Sequence, residues 1–357
     1  AHTILHCSNY FYNEPAVQTA RLIVENSCFD KVLFANSGAE ANEGQIKLAR
    51  KYAKDHGHPE RFVVITMKES FHGRTLATCT ATGQYPVHRY FEPLPDGFRY
   101  AEFNNLDSVK AIMDEYVCAI LTEPVQGEGG VRPASREFLQ GLRELCDEKG
   151  ILLMFDEVQV GSGRTGKLFA HQYYGVEPDT CSMAKALGSG VPIAAVCAKG
   201  EAAKVLTPGT HGSTFAGGPL ACALAATTLD VMLNEGVLDN CAEMGEYFRQ
   251  QAHEVIEKHH PNAIQEIRGL GLIDGIQLKH PSGQPVVDLC FQDSKVLINN
   301  TAGNVLRFIR AHSAPLYKSK LRFTICAPAY ALRSTCVLPS LPRLVVTNIT
   351  PLLARAP

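Results

Sequence analysis

The sequence predicts an α/β fold: a large domain on a mostly parallel central sheet flanked by helices, followed by a smaller α+β domain. Short β-branched and apolar runs recur along the chain, and segments with helical spacing separate them. That alternation produces βαβ units and a largely parallel sheet. From about Leu233 it gives way to a long helix-like stretch and then a strand, which marks the smaller domain.

The elements follow in order. KVLFANSG, Lys31 to Gly38, reads as a short strand ending in a turn. EANEGQIKLARKYAKDHG places Ile46, Leu48, Ala49 and Tyr52 at roughly helical spacing before a glycine stop. RFVVITM (Arg61–Met67), VCAILTEPV (Val117–Val125), ILLMFDEV (Ile151–Val158) and PIAAVCA (Pro192–Ala198) are further strands. Helix-like REFLQGLRELCDEKG sits between two of them. Beyond Leu233, the stretch from Glu235 to Pro261 reads as helix and RGLGLIDGIQL, Arg268 to Leu278, as strand. The expected division is a large domain over 1–232, a small domain over 233–309 and a basic tail over 310–357.

That tail contains seven Lys or Arg and no Asp or Glu, leaving 27 basic and 36 acidic residues in 1–309. Disorder, divergence or a shifted reading frame would each produce such a segment, and we expect the last; an intact in-frame gene would contradict it. The whole chain, 357 residues with a net charge of -2, gives no reason to expect nucleic acid or an anionic membrane as partner. Its 12 cysteines include no CxxC pair, which argues against a zinc ribbon or redox dithiol. Reduced thiols in a cytoplasmic protein are expected, with no metal, no signal peptide and no membrane span.

Gly161 to Lys167 fits the first seven positions of GxxxxGK[ST], but the eighth is Leu168, which has no hydroxyl for Mg²⁺. The preceding strand ends in Asp156-Glu157, and carboxylates repel phosphate rather than cradle it. RGLGLIDG spaces its glycines one residue too long for a dinucleotide fingerprint. In an open α/β sheet, ligands sit beyond the carboxyl ends of the strands, where Asp156 lies. Downstream, Lys185 stands among small residues, a setting that lowers a lysine pKa from about 10.4 and favours the neutral amine. A neutral lysine condenses with an aldehyde, and a buried carboxylate keeps a pyridine ring protonated. Pyridoxal phosphate (PLP) explains both residues together, with Ser37-Gly38-Ala39 as a helix start for its phosphate.

FANSGAEANEGQIKLARK, FHGRTLATCTATGQ, TEPVQGEGGV, FDEVQVGSGRTGKLFA, AKALGSGVP, HGSTFAGGPLACA and TAGNVLRF follow one another over roughly residues 9 to 309. This series resembles the class III, fold-type-I PLP aminotransferases. The resemblance implies that Lys185 forms the Schiff base and shuttles a proton, that Asp156 pairs with the pyridinium, and that Gln159 meets the phenolic oxygen. It implies that Ser37, Gly38 and Ala39 hold the phosphate, that Phe71 stacks on the ring, and that Thr214 reaches the phosphate of a partner subunit in a homodimer with shared sites. Arg74 would take the substrate α-carboxylate, Glu128 would mask Arg307 during one half-reaction, and Ser213 would add a substrate contact. By residue type alone, Glu123 and Glu128 read as ordinary loop charges, Phe71 reads as core, and His72 reads as a packing or capping residue. Arg164, Thr165 and Lys167 read as structural, and His56 and His58 as exposed.

HCSNYFYNEP, FEPLPDGFRY and LINNTAGNVLRF are similar to acetylornithine aminotransferases within the class. The implied reaction moves the terminal amino group of N2-acetyl-L-ornithine to 2-oxoglutarate, as in arginine biosynthesis. Ornithine, succinylornithine and other ω-amino acids are alternative donors, and an aminomutase, a decarboxylase or an impaired family member are alternative readings. Three departures stand out: some tens of family residues precede the position of His6, Ala216 and Gly218 replace the usual Gly and Asn, and the tail bears no likeness to the family.

Overall fold

The computed structural model describes residues 3–310 and 312. In chain order the strands are β1 (Lys31–Ala35), β2 (Val63–Met67), β3 (Phe98–Ala101), β4 (Val117–Thr122), β5 (Val125–Gln126), β6 (Arg132–Pro133), β7 (Leu152–Asp156), β8 (Thr180–Met183), β9 (Ala194–Ala198), β10 (Ile264–Leu270), β11 (Ile273–Leu278), β12 (Asn299–Thr301) and β13 (Val305–Ile309). Seven of them form one sheet in the order β1-β9-β8-β7-β4-β2-β3. β9 runs antiparallel to both neighbours, and the other pairs are parallel.

The sheet is covered on both faces, which is why its central strands are apolar without interruption. Successive residues of β4 and β7 point to opposite faces. Ile120, Leu153 and Phe155 pack with Phe138, Leu139 and Leu142 of the helix Arg136–Lys149. Ala119, Leu121, Leu152 and Met154 pack with Leu48, Ala49 and Ala53 of the helix Gly38–Asp55. Each fully buried large side chain contributes about 1.5–3 kcal/mol of transfer free energy, so these two layers hold the strand ends in place.

Both covering helices have sequence-encoded ends. Ser37 caps Gly38–Asp55, its side chain accepting the Glu40 N–H at 3.2 Å. Ser135 caps Arg136–Lys149 in the same way, and Gly150 ends it with φ of 62°, the left-handed conformation glycine adopts without steric cost.

Beyond the helix Pro219–Asn234 the chain turns at Gly236 into the helix Val237–Ala252, a bend of 68°. The smaller α+β domain follows, with an antiparallel sheet in the order β10-β11-β13-β12. Its core joins Ile264, Ile276, Leu278 and Leu306 to Ala252, Ile256 and Val286. RGLGLIDGIQL is not one strand but the hairpin β10–β11. Its tip is Gly271, with φ of 56°, where an L side chain is disfavoured. Apolar residues on both sides of that glycine disguise the turn.

Among the described residues, no single helix is long and apolar enough to cross a membrane. The expected basic tail lies outside the described residues except for Arg310 and His312.

Candidate active site

A cavity of about 450 Å³ opens beyond the carboxyl ends of the large-sheet strands. Ser37, Gly38, Ala39, Phe71, Arg74, Glu128, Asp156, Gln159 and Lys185 all line it. Nine of the residues singled out in sequence are therefore brought to one place from five separate segments.

Asp156 ends β7 and is 4% exposed. Its Oδ2 accepts from Asn42 Nδ2 at 2.7 Å and from His72 Nδ1 at 2.8 Å, and its Oδ1 accepts the Val158 N–H at 3.0 Å. A buried carboxylate is tolerated only with such donors. Because a carboxylate only accepts, Nδ1 of His72 carries the proton. His72 Nε2 is buried with no partner among the described residues. His72 thus does more than pack or cap: it is one of the groups that orient Asp156.

Lys185 follows β8 with φ of 44°, a left-handed backbone conformation. Such strain in a non-glycine residue persists only where surrounding structure enforces it. The side chain is exposed, but into the cavity rather than to open solvent. The surrounding protein displaces water and lowers its pKa; Asp156, Glu128 and Glu123 only partly oppose this.

Glu123 is 5% exposed and accepts the Phe71 N–H at 3.1 Å. Burial first, and the Asp156 charge second, push it well above the ordinary carboxylate range. It is not the ordinary loop charge its residue type suggests.

Glu128 is not a free loop charge either. Its Oε1 lies 2.7 Å from Nη1 of Arg307, which is 3% exposed. Gln159 donates to Glu128 at 3.3 Å and accepts from Arg307 at 3.3 Å, and Asn299 accepts from Arg307 Nε at 3.1 Å. Burial opposes ionisation of Glu128, but the charge and hydrogen bond of Arg307 outweigh it and hold the carboxyl below its usual range. Arg307 sits on β13, so this clasp ties the small sheet to the cavity.

Gly38 and Ala39 are the first residues of their helix, whose leading N–H groups have no acceptor one turn back. A Cβ on Gly38 would lie 2.6 Å from Val158 Cγ1, so only glycine lets the chain pass this close. Arg74 stands over the Phe71 ring, 5.4 Å from its centroid, and Phe71 is half-buried at the cavity, not in the core.

Ser213 and Thr214 do not line the cavity. Ser213 Oγ accepts from Asn36 Nδ2 at 2.9 Å, and Thr214 is exposed. His211 faces Lys47, its Nδ1 2.9 Å from Nζ. Arg164 is buried and donates to the Arg310 carbonyl, a structural role, and His56 and His58 are exposed.

The aminotransferase class-III family profile matches residues 1–315. The chain belongs to this family. It is 46% identical over 309 residues to acetylornithine aminotransferase of Caldanaerobacter subterraneus subsp. tengcongensis, covering 87% of this chain and 78% of the relative. It is 46% identical to that of Methanocaldococcus jannaschii, covering 87% and 77%. Among solved structures, ornithine aminotransferase from Toxoplasma gondii ME49 superposes with a TM-score of 0.81 at 34% identity, covering 86% of this chain and 74% of that one. N-acetylornithine aminotransferase from Stenotrophomonas maltophilia K279a gives 0.73 at 36% identity, covering 86% and 77%.

Class-III aminotransferases of fold type I typically use PLP, and the cavity's donor set fits it. A lysine with a lowered pKa faces a carboxylate held by fixed donors. A capped helix start, kept open by Gly38, stands at the same cavity. Sequence reasoning missed Asn42 and undervalued His72 and Glu123. Their contacts with Asp156 and Phe71 span 52 to 114 positions, and nothing local announces them. The one available signal was that His72 follows Phe71.

Proposed function

We propose that this chain is a PLP-dependent aminotransferase that moves the terminal amino group of N2-acetyl-L-ornithine to 2-oxoglutarate, giving N-acetylglutamate semialdehyde and glutamate. The observation that carries this reading is one cavity lined by Lys185, the oriented Asp156 and Glu128, with Arg307 paired to Glu128 behind it. The acetylornithine aminotransferases among the relatives, at 46% identity, support the acylated donor.

When bound, PLP supplies an aldehyde for amines and a protonated ring that draws electrons from the carbon bearing the amino group. In our reading Ser37, Gly38 and Ala39 hold the phosphate, Phe71 covers the ring face and Gln159 meets the phenolic oxygen. Asp156 faces the ring nitrogen, with Asn42 and His72 fixing its direction before any substrate arrives. Lys185 holds the proton taken from the donor's amino-bearing carbon and returns one to the keto carbon of 2-oxoglutarate. Its lowered pKa favours the neutral amine that this requires.

Arg74 takes the substrate α-carboxylate as a bidentate fork. Glu128 covers Arg307 while the acyl donor, which has a single carboxylate, is bound. The second carboxylate of 2-oxoglutarate displaces Glu128 from Arg307, so one cavity serves both substrates.

The active form in this reading is a homodimer in which Thr214 reaches the partner's phosphate and Ser213 lies near the partner's substrate. The absence of Ser213 and Thr214 from their own chain's cavity lining supports this. We place the boundary between PLP-binding and small domains at 232/233, beside the Gly236 bend. Ten free cysteines among the described residues support a reducing compartment, the cytoplasm.

The test is a substrate panel. Acetylornithine turnover that requires 2-oxoglutarate and releases glutamate is expected. Turnover without any 2-oxo acid would point to a mutase or decarboxylase, and a preference for free ornithine would overturn the acyl donor.

A further inference from the structure

Glu157 follows Asp156 but does not reach the cavity. It is 1% exposed. Its Oε1 accepts from His171 Nδ1 at 3.0 Å and from the His171 N–H at 2.8 Å, and its Oε2 accepts the Ala170 N–H. The carboxylate therefore fixes Nδ1 as a donor. Nε2, the other ring nitrogen, lies 3.6 Å from Cys28 Sγ. The rings of Phe29 and Phe169 pack around the imidazole, with centroids at 5.4 and 5.1 Å. The result is a carboxylate–imidazole–thiol chain, the arrangement that activates a cysteine.

This chain of groups meets solvent. Cys28 and His171 line a cleft of about 430 Å³ that is separate from the PLP cavity. Cys28 is half-buried, whereas eight of the other nine described cysteines are buried. Burial opposes charge on His171, but its hydrogen bonds to Cys28 and Glu157 outweigh it and raise its pKa to about 9, so a proton is held beside the sulfur at neutral pH. Cys181, Glu157 and His171 also have donor atoms within 4.8 Å of one another. Both Glu157 oxygens are engaged, however, and burial pushes the Cys181 thiol well up, which leaves a poor metal site.

We propose that Cys28 is a peroxide-reactive thiol, with His171 as its proton partner and Glu157 as the residue that orients the imidazole. The Cys28 sulfur, its own proton passed to His171 Nε2, attacks one oxygen of a hydroperoxide; an S–O bond forms and the O–O bond breaks. Sulfur is oxidised to a sulfenic acid. The departing hydroxide or alkoxide takes the proton from His171 Nε2 and leaves as water or alcohol. Glu25 and Glu177 belong to the cleft lining, and their charges favour a small neutral peroxide over an anionic reactant.

Cys7, the other half-buried described thiol, has an Asn13 amide at 3.7 Å as its hydrogen-bond partner among the described residues and serves as an internal reference. The PLP-loaded protein is treated at pH 7 with substoichiometric hydrogen peroxide and dimedone, and labelled peptides are mapped by mass. Cys28 is expected to label about tenfold or more faster than Cys7, a modest share of the roughly 10²–10⁴-fold that positioned proton transfer supplies. His171→Gln should bring Cys28 down to the Cys7 rate, and Cys28→Ser should remove this label alone. Equal rates in the unmodified protein would overturn the proposal. A folded H171Q protein that keeps the preference would overturn the role of His171. Because the wild-type ratio needs no variant, failure of H171Q to fold leaves the test decisive.

Discussion

Replacing Glu128 by Gln should lower the KM for 2-oxoglutarate by about fivefold. Arg307 must leave Glu128 before it can take the second carboxylate of that substrate, so the strength of the clasp opposes binding. Glu128 Oε1 and Arg307 Nη1 are 2.7 Å apart. A hydrogen bond between charged groups contributes about 1.5–3 kcal/mol, and a neutral one about 0.5–1.5 kcal/mol. The Glu128 side chain is 35% exposed, so solvent screening places the difference near the low end, about 1 kcal/mol. At about 1.4 kcal/mol per tenfold, this is about fivefold in affinity. The same change leaves the buried guanidinium without its charge partner while the single-carboxylate acyl donor is bound, so kcat/KM for acetylornithine should fall by a similar factor. Steady-state kinetics with each substrate varied in turn checks both. An unchanged or higher KM for 2-oxoglutarate would refute the masking argument.

Three other perturbations follow from the geometry. Asp156→Asn should keep PLP but slow turnover by roughly 10²-fold or more, the scale for losing one preorganised charge partner; single-turnover kinetics would show it, and normal turnover would remove Asp156 from its role. Gly38→Ala should weaken PLP binding by about tenfold, since its Cβ would lie 2.6 Å from the stiff Val158 side chain and overpacking costs about 1–3 kcal/mol; a PLP titration would expose an unaltered affinity. His171 has a folded pKa of about 9 against 6.5 as its ordinary value, so the stability it contributes is complete below about pH 6.5 and lost as pH rises through about 9. The urea midpoint should therefore decline over that window, and more weakly in His171→Gln; parallel declines would count against the assignment.

The sequence makes the strands legible where composition and burial coincide. β2, β4, β7 and β9 are buried apolar runs, and each stands out between helical segments. β3, Phe98–Ala101, lies at the sheet edge and is mostly half-buried. Its sequence FRYA carries no continuous apolar signal. β8 reads TCSM, small and partly polar, because Ser182 and Thr180 turn their hydroxyls to Asn42 and Gln45. Both strands escape a search for β-branched runs. At the cavity, motif order gathers Lys185, Asp156, Arg74 and Arg307, whereas Asn42 and His72 become visible only when the fold carries them to Asp156. Glu123 and Glu128 illustrate the same limit: five positions apart on either side of β5, they are set apart by burial beside Asp156 for one and an arginine beside the other.

The central claim is that Lys185 and Asp156 form a PLP site in this chain. Its most direct test is borohydride reduction after incubation with PLP, followed by peptide mass mapping. A pyridoxyl group on the peptide containing Lys185, absent in Lys185→Ala, is the predicted result. No adduct, or one confined to exposed lysines such as Lys47, would contradict the account.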